Sequence, residues 1–183
     1  MSYLRTFLPW IVFAAVPSAD WQWGALAALV IAVAIIAQQL HSGIAFDALI
    51  IEAGSAVFFT ALAVIAFTNH DSDVHTYSAA LSAGTLAIIA GVSLAMGKPF
   101  TLGIAKRTTP REVWVLKPFI RVNVVITAVW TAAFVLTAVV LAVLEHGGHA
   151  NSTTATLVQI AGFAVPMLFT ARYVARIQAK AAA

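Results

Sequence analysis

Glu52 sits inside an apolar run long enough to cross a membrane. Ionisable groups at such depth are costly and usually face a bundle interior or a wet cavity. On a helix, Ser55, Ala56, Thr60 and Ala63 share its face, a small and polar stripe along which another helix can approach closely. Asp47 precedes it by about one and a half turns, and Gln38, Gln39, Arg121, Asn123 and Arg172 fall at the same depth of neighbouring runs. Two chemistries fit this intramembrane polar cluster. One is a pair between Glu52 and Arg121 or Arg172 that fixes helix register; the other is a proton, ion or substrate site in a small transporter or channel.

A second collection of reactive side chains lies on two short polar stretches, His70-Asp71-Ser72-Asp73-Val74-His75 and Glu145-His146-Gly147-Gly148-His149. Imidazole and carboxylate suit zinc or copper. The spacings match no compact metal motif, so His70, His75, His146 and His149 are weak candidates and no metal or other cofactor is assigned. The chain has no P-loop, HExxH, GxSxG or dinucleotide fingerprint. It has no cysteine, which removes disulfides and thiol nucleophiles. No nucleophile stands beside a base, and the reading is non-enzymatic.

The elements that must carry these residues are set by composition. Of 183 residues, 62% are hydrophobic and 9% charged, against roughly 45–50% and 25% in soluble domains. The solvent is lipid. Apolar runs fall at about 3–19, 22–40, 46–68, 77–96, 119–144 and 153–174, each near the ~20 residues needed to cross a ~30 Å hydrocarbon core. No sustained alternation of the kind a barrel strand needs is present. The fold class is all-α, a single polytopic transmembrane helical bundle over residues 1–183 with six spans. The first run holds Pro9 and ends in Pro17-Ser18-Ala19, so it also fits a cleaved signal, which would leave five spans.

Sidedness follows from the ten Lys and Arg residues, which collect on cytoplasmic loops and tails of membrane proteins. With both termini inside, Arg5, the connection around Lys98 to Arg121, and Arg172, Arg176 and Lys180 all face the cytoplasm. Asp20, Asp71, Asp73, Glu145 and four of the five histidines face the opposite side. The net charge of +3 thereby marks topology, and no nucleic-acid partner is expected.

The cytoplasmic connection 97–118 gathers Lys98, Lys106, Arg107, Arg111, Trp114 and Lys117. Thr109-Pro110-Arg111-Glu112 has a capping-box pattern with proline suited to the first helical position, which predicts a short interfacial helix ended by Pro118. Lys98-Pro99-Phe100 through Ile104 reads as a weaker turn of the same kind. Each basic residue near an anionic leaflet contributes ~1 kcal/mol, so the first partner is the bilayer itself, and the second is a membrane or cytoplasmic protein docking on this surface.

Small residues at Ala80, Gly84, Ala87, Gly91 and Ala95 mark the fourth span for close helix packing, either central in the bundle or as a homodimer face. In the fifth span Asn123, Thr127, Trp130, Thr131 and Phe134 share one stripe, suited to interhelical hydrogen bonds.

Several landmarks together bear a family likeness: Phe7-Leu8-Pro9 followed by Val12-Phe13, an Ala-rich second span, Lys98-Pro99 closing the fourth, Val113-Trp114, and Ala128-Val129-Trp130 in the fifth. Over nearly the whole chain this arrangement resembles the intracellular septation protein A family of small bacterial inner-membrane proteins. The resemblance implies a retained first span and a non-enzymatic role in envelope growth and cell division, exercised through contact with elongation and septation proteins. Family members tend to carry basic residues between the second and third spans, whereas Gln38-Gln39-Leu40-His41-Ser42-Gly43 carries none. The leading expectation is therefore a membrane scaffold or accessory factor of the inner (cytoplasmic) membrane. A transporter or channel using Glu52 and a subunit of a larger membrane complex are the alternatives.

Overall fold

A computed structural model describes residues 5–44 and 49–182. The described residues form helices and no strand. The helices are α1 (Leu8–Ala15), α2 (Trp21–His41), α3 (Ile50–Thr68), α4 (Ser78–Ala95), α5 (Phe100–Lys106), α6 (Lys117–His146) and α7 (Thr153–Ala182), with single 3-10 turns at Ser18–Asp20 and Arg111–Val113. Five of these, α2, α3, α4, α6 and α7, are long and apolar enough to cross a membrane. Their outward faces agree, since Val57, Ile88, Leu136, Val143 and Leu168 are all exposed. Water would not tolerate so much apolar surface on a monomer, whereas acyl chains do.

The first run departs from a regular span. α1 has only 8 residues, about 12 Å of helix at 1.5 Å per residue, because Pro17 cannot continue the ladder and the chain is already extended at Val16. The segment nevertheless runs the length of its neighbour α2. Arg5 bonds to Gln38 near the last turn of α2, while Val16 packs against Gly24 near its first turn. Phe7 and Trp10 are buried between them.

The core forms where small residues let helices meet. Ala25, Ala28 and Ala32 of α2 are fully buried, and α2 packs on α3, α4 on α6, and α6 on α7. At the centre Phe7, Trp130, Phe134 and Phe163 form one aromatic cluster, with Phe7 stacked on Trp130 at 4.9 Å between ring centroids. The Trp130 indole donates to Thr170 Oγ1 at 3.0 Å, and that hydroxyl donates to the Pro166 carbonyl, tying α6 to α7.

The stripe Ala80, Gly84, Ala87, Gly91, Ala95 borders α6 without demanding glycine. A methyl on Gly84 would stand 3.9 Å from Ala138 and one on Gly91 3.6 Å from Thr131, both ordinary contacts. The tight approaches are elsewhere. A methyl on Gly54 would reach to 2.8 Å from Ile89 Cγ1, and one on Gly162 would collide with Thr137, at 3.0 Å from its Cγ2 and 3.2 Å from its Cβ.

The bundle has two chemically distinct ends. Arg5, Arg107 and the start of α6 gather at one, together with the last turns of α7. At the other, Trp21 packs 5.3 Å from the His75 ring, and Tyr77 OH lies 3.5 Å from His146 Nδ1.

Candidate functional site

Glu52 lies in the first turn of α3 and is buried, 3% exposed. Its partner is neither Arg121 nor Arg172. Arg107 Nη2 donates to Glu52 Oε1 at 2.9 Å, and the same oxygen accepts from Thr6 Oγ1 at 3.0 Å and Gln39 Nε2 at 3.2 Å. Arg121 and Arg172 are exposed. Asn123 is buried, but its side chain donates to the Phe119 carbonyl of its own helix. Asp47 lies outside the described residues. The cluster thus draws on four separate parts of the chain: the N-terminal segment, α2, α3 and the connection after α5.

Three charge-assisted or polar donors on one buried oxygen compensate the cost of taking a carboxylate out of water. Ser55, one turn on, accepts from the Trp10 indole at 2.8 Å and donates to the Ile51 carbonyl. Ser55 of the stripe beside Glu52 thereby holds the N-terminal segment, while Thr60 is exposed and donates to the Ala56 carbonyl. Two clefts of the bundle are lined by other residues. One of them, of about 400 Å³, runs along α7 past Phe169, Arg172, Tyr173 and Arg176.

The connection 97–118 is built onto the bundle. Gly97 adopts a left-handed φ of +68°, which only glycine takes without strain. That turn lets Lys98 N donate to the Ser93 carbonyl and brings Phe100 N to 3.1 Å from Ser93 Oγ. α5 follows with Phe100, Thr101 and Ile104 buried. Thr101 Oγ1 donates to the Asn123 carbonyl at 3.0 Å and shares a hydrogen bond of 2.9 Å with Thr127. The stronger helix of the connection is thus Phe100–Lys106.

The segment with the capping-box pattern makes only a 3-10 turn, and no side chain caps it. Thr109 Oγ1 turns back to donate to the Ala105 carbonyl at the end of α5, 2.8 Å away. The Trp114 indole donates to the Thr109 carbonyl at 3.0 Å, and its ring lies 5.2 Å from Lys106 Nζ and 5.7 Å from Arg111 Cζ. Cation–π attraction of about 0.5–1 kcal/mol per contact holds both charges beside the ring. Val115 and Leu116, next in the chain, are exposed, as are Lys98, Arg111 and Lys117.

His70 Nε2 is 3.0 Å from Gln22 Oε1, His146 meets Tyr77, His75 lies tilted against the Trp21 ring, and His75 and His149 border one cleft. Among the described residues no three of His, Asp and Glu form a group able to hold a metal.

Two participants carried little sequence signal. Thr6 sits in the first run with nothing to distinguish it, and Glu145, adjacent to a His/Gly stretch, reads as a water-facing residue. It is 4% exposed, and its Oε1 accepts from Ala80 N in the first turn of α4 at 3.2 Å.

Comparison with known proteins finds no matching family model, no matching curated protein and no matching solved structure.

Proposed function

We propose that this chain is a non-enzymatic accessory protein of the bacterial inner membrane whose cytoplasmic face docks onto partner proteins of envelope growth and septation. In this reading the membrane is crossed six times, the first crossing being the broken segment that includes α1. Both termini and the connection 97–118 then lie in the cytoplasm, where the Lys and Arg distribution favours them.

One observation carries the docking reading. Trp114, held beside Lys106 and Arg111 and followed by the exposed Val115 and Leu116, forms an apolar, cationic knob on a base that Arg107–Glu52 and Thr101–Asn123 fasten to the bundle. Aromatic and arginine side chains on rigid supports are the usual anchors of protein interfaces. The cations suit an acidic partner surface or anionic headgroups. The envelope-growth partner class is supported by the sequence resemblance and the non-enzymatic inventory.

A photo-crosslinking amino acid at Val115 in native membranes tests this. Covalent adducts to elongation or septation proteins, diminished at least several-fold by Arg111→Ala with Trp114→Ala, are expected. Adducts to lipid alone, or protein adducts indifferent to both changes, would overturn the docking reading. Recovery of a stable multisubunit assembly of another kind would favour the larger-complex alternative.

A further inference from the structure

At the end of the bundle opposite the basic connection lies a cleft of about 740 Å³, within the range of small-molecule sites. Its upper wall is polar, with His75, Ser82, Glu145, His149, Asn151 and Gln159; its floor is aromatic, with Trp10, Phe13, Phe134 and Phe163. Glu145 and Phe134 are both on α6, eleven residues apart, so the polar and aromatic ends are separated by ~16 Å along the helix. Among the described residues no Lys or Arg lines the cleft.

Glu145 is the group this site turns on. One carboxylate oxygen caps the start of α4 through Ala80 N, a duty that Tyr77 at the N-cap position does not perform with its own side chain. The other, Oε2, is buried and has no hydrogen-bond partner among the described residues, and Ser82 Oγ on the same cleft wall is likewise unsatisfied. A helix cap needs only one oxygen. A carboxylate with a bare buried oxygen is costly unless a cation or a proton meets it, and the aromatic floor farther along the cleft offers an apolar surface to the rest of a ligand.

We propose that this cleft binds an elongated amphiphilic organic cation, its positive head beside the Glu145 carboxylate and its apolar tail extending ~16 Å along α6 to the Trp10–Phe134–Phe163 floor. An inorganic ion would have no use for the aromatic floor, and an anion would face an acidic wall without a basic side chain. The site is independent of the basic connection and of whatever docks there.

Dodecyltrimethylammonium, which has an accessible cationic head and a long apolar tail, is a suitable probe, with N,N-dimethyldodecanamide as its neutral counterpart, both kept below micelle-forming concentration and measured by equilibrium binding to the full chain in phosphatidylcholine nanodiscs at pH 8. Saturable cation binding is expected, at least tenfold tighter than that of the neutral compound. Glu145→Gln retains an oxygen for the Ala80 amide and should lower cation affinity at least tenfold without equal loss for the neutral probe. Thr156→Trp, on the cleft wall, should obstruct both probes while leaving the carboxylate in place. It also keeps the test decisive should the Gln variant fail to fold. No saturable binding by the wild-type protein, equal affinity for the two probes, or binding unchanged in Thr156→Trp would overturn the proposal.

Discussion

Arg107 and Glu52, 55 residues apart in sequence, meet at 2.9 Å with 13% and 3% of their side chains exposed. Their ion pair closes the basic connection onto the bundle, and Thr6 and Gln39 complete its hydrogen bonding. Breaking a buried pair by deleting one partner leaves an uncompensated charge, whereas removing both charges is far milder. Arg107→Ala should therefore cost about 3–5 kcal/mol, and Arg107→Gln combined with Glu52→Gln should recover most of it. Unfolding in mixed micelles of increasing denaturing-detergent fraction measures both; equal losses in the single and double variants would show that the pair does not couple.

The same contact makes a statement about the knob around Trp114. If Arg107 fastens the connection, Arg107→Ala should loosen Trp114 without altering its own contacts with Lys106 and Arg111. Hydrogen exchange across 105–116 should then accelerate at least tenfold in the variant, while α4 and α6 keep wild-type protection. Unchanged exchange would assign the rigidity of the knob to α5 alone.

The glycines give a sharper contrast between pattern and packing. Gly162 has no room for a methyl because the β-branched Thr137 stands against it, while Gly84 has room against Ala138. Overpacking typically costs 1–3 kcal/mol, so Gly162→Ala should lose about 1–3 kcal/mol in the same assay. Gly84→Ala should change stability by less than about 0.5 kcal/mol. Equal tolerance at both positions would mean that α6 and α7 are not in the close register described.

These cases show what was legible in the chain. Both ends of α2, α4 and α6 are legible to within two residues, because an apolar run of membrane length bounded by turn residues has few other uses, whereas α7 continues to Ala182, past the apolar run that ends at 174. The partner of Glu52 was harder, yet part of the signal was present. Asn123, Thr127, Trp130 and Phe134 share an inward stripe, and Arg121, two residues from Asn123 at 100° per residue, must point about 200° away from it. That argument removes Arg121 but does not select Arg107, whose long side chain reaches back from a loop. α5 was underestimated because seven residues containing Gly and Thr have weak intrinsic helicity, and tertiary burial of Phe100, Thr101 and Ile104 supplies what propensity lacks. Glu145 and the tight glycines Gly54 and Gly162 were invisible for a common reason. Their partners, Ala80, Ile89 and Thr137, are chosen by how helices align in space, and no local pattern encodes that register.

The N-terminal segment supplies a further expectation. Phe7 is 1% exposed and touches Phe100, Trp130, Phe134 and Phe163, so it packs as a central core residue. Phe7→Ala should cost about 3–5 kcal/mol, similar to Trp130→Ala, when unfolding is followed in micelles. A loss below 1 kcal/mol would show that the segment does not seat in the bundle.

Arg5 and Gln38 stand at one end of α2, with His70 beside Trp21 at the other. If the bundle crosses the membrane along these helices, the two ends must open on different aqueous phases. Single cysteines can be introduced at His75 and Thr108 because the chain has none of its own; both sites are outside the long helices. A membrane-impermeant maleimide added to intact cells, with the outer membrane permeabilised where one is present, should label the cysteine replacing His75. The cysteine replacing Thr108 should react only after the inner membrane is opened, and a cysteine replacing Ser2, ahead of the first crossing, should behave like that at 108. Labelling at both 75 and 108 from outside would refute the transmembrane arrangement. Labelling at 75 and 2 but not at 108 would retain five crossings and remove the sixth, placing the N-terminus on the outer side.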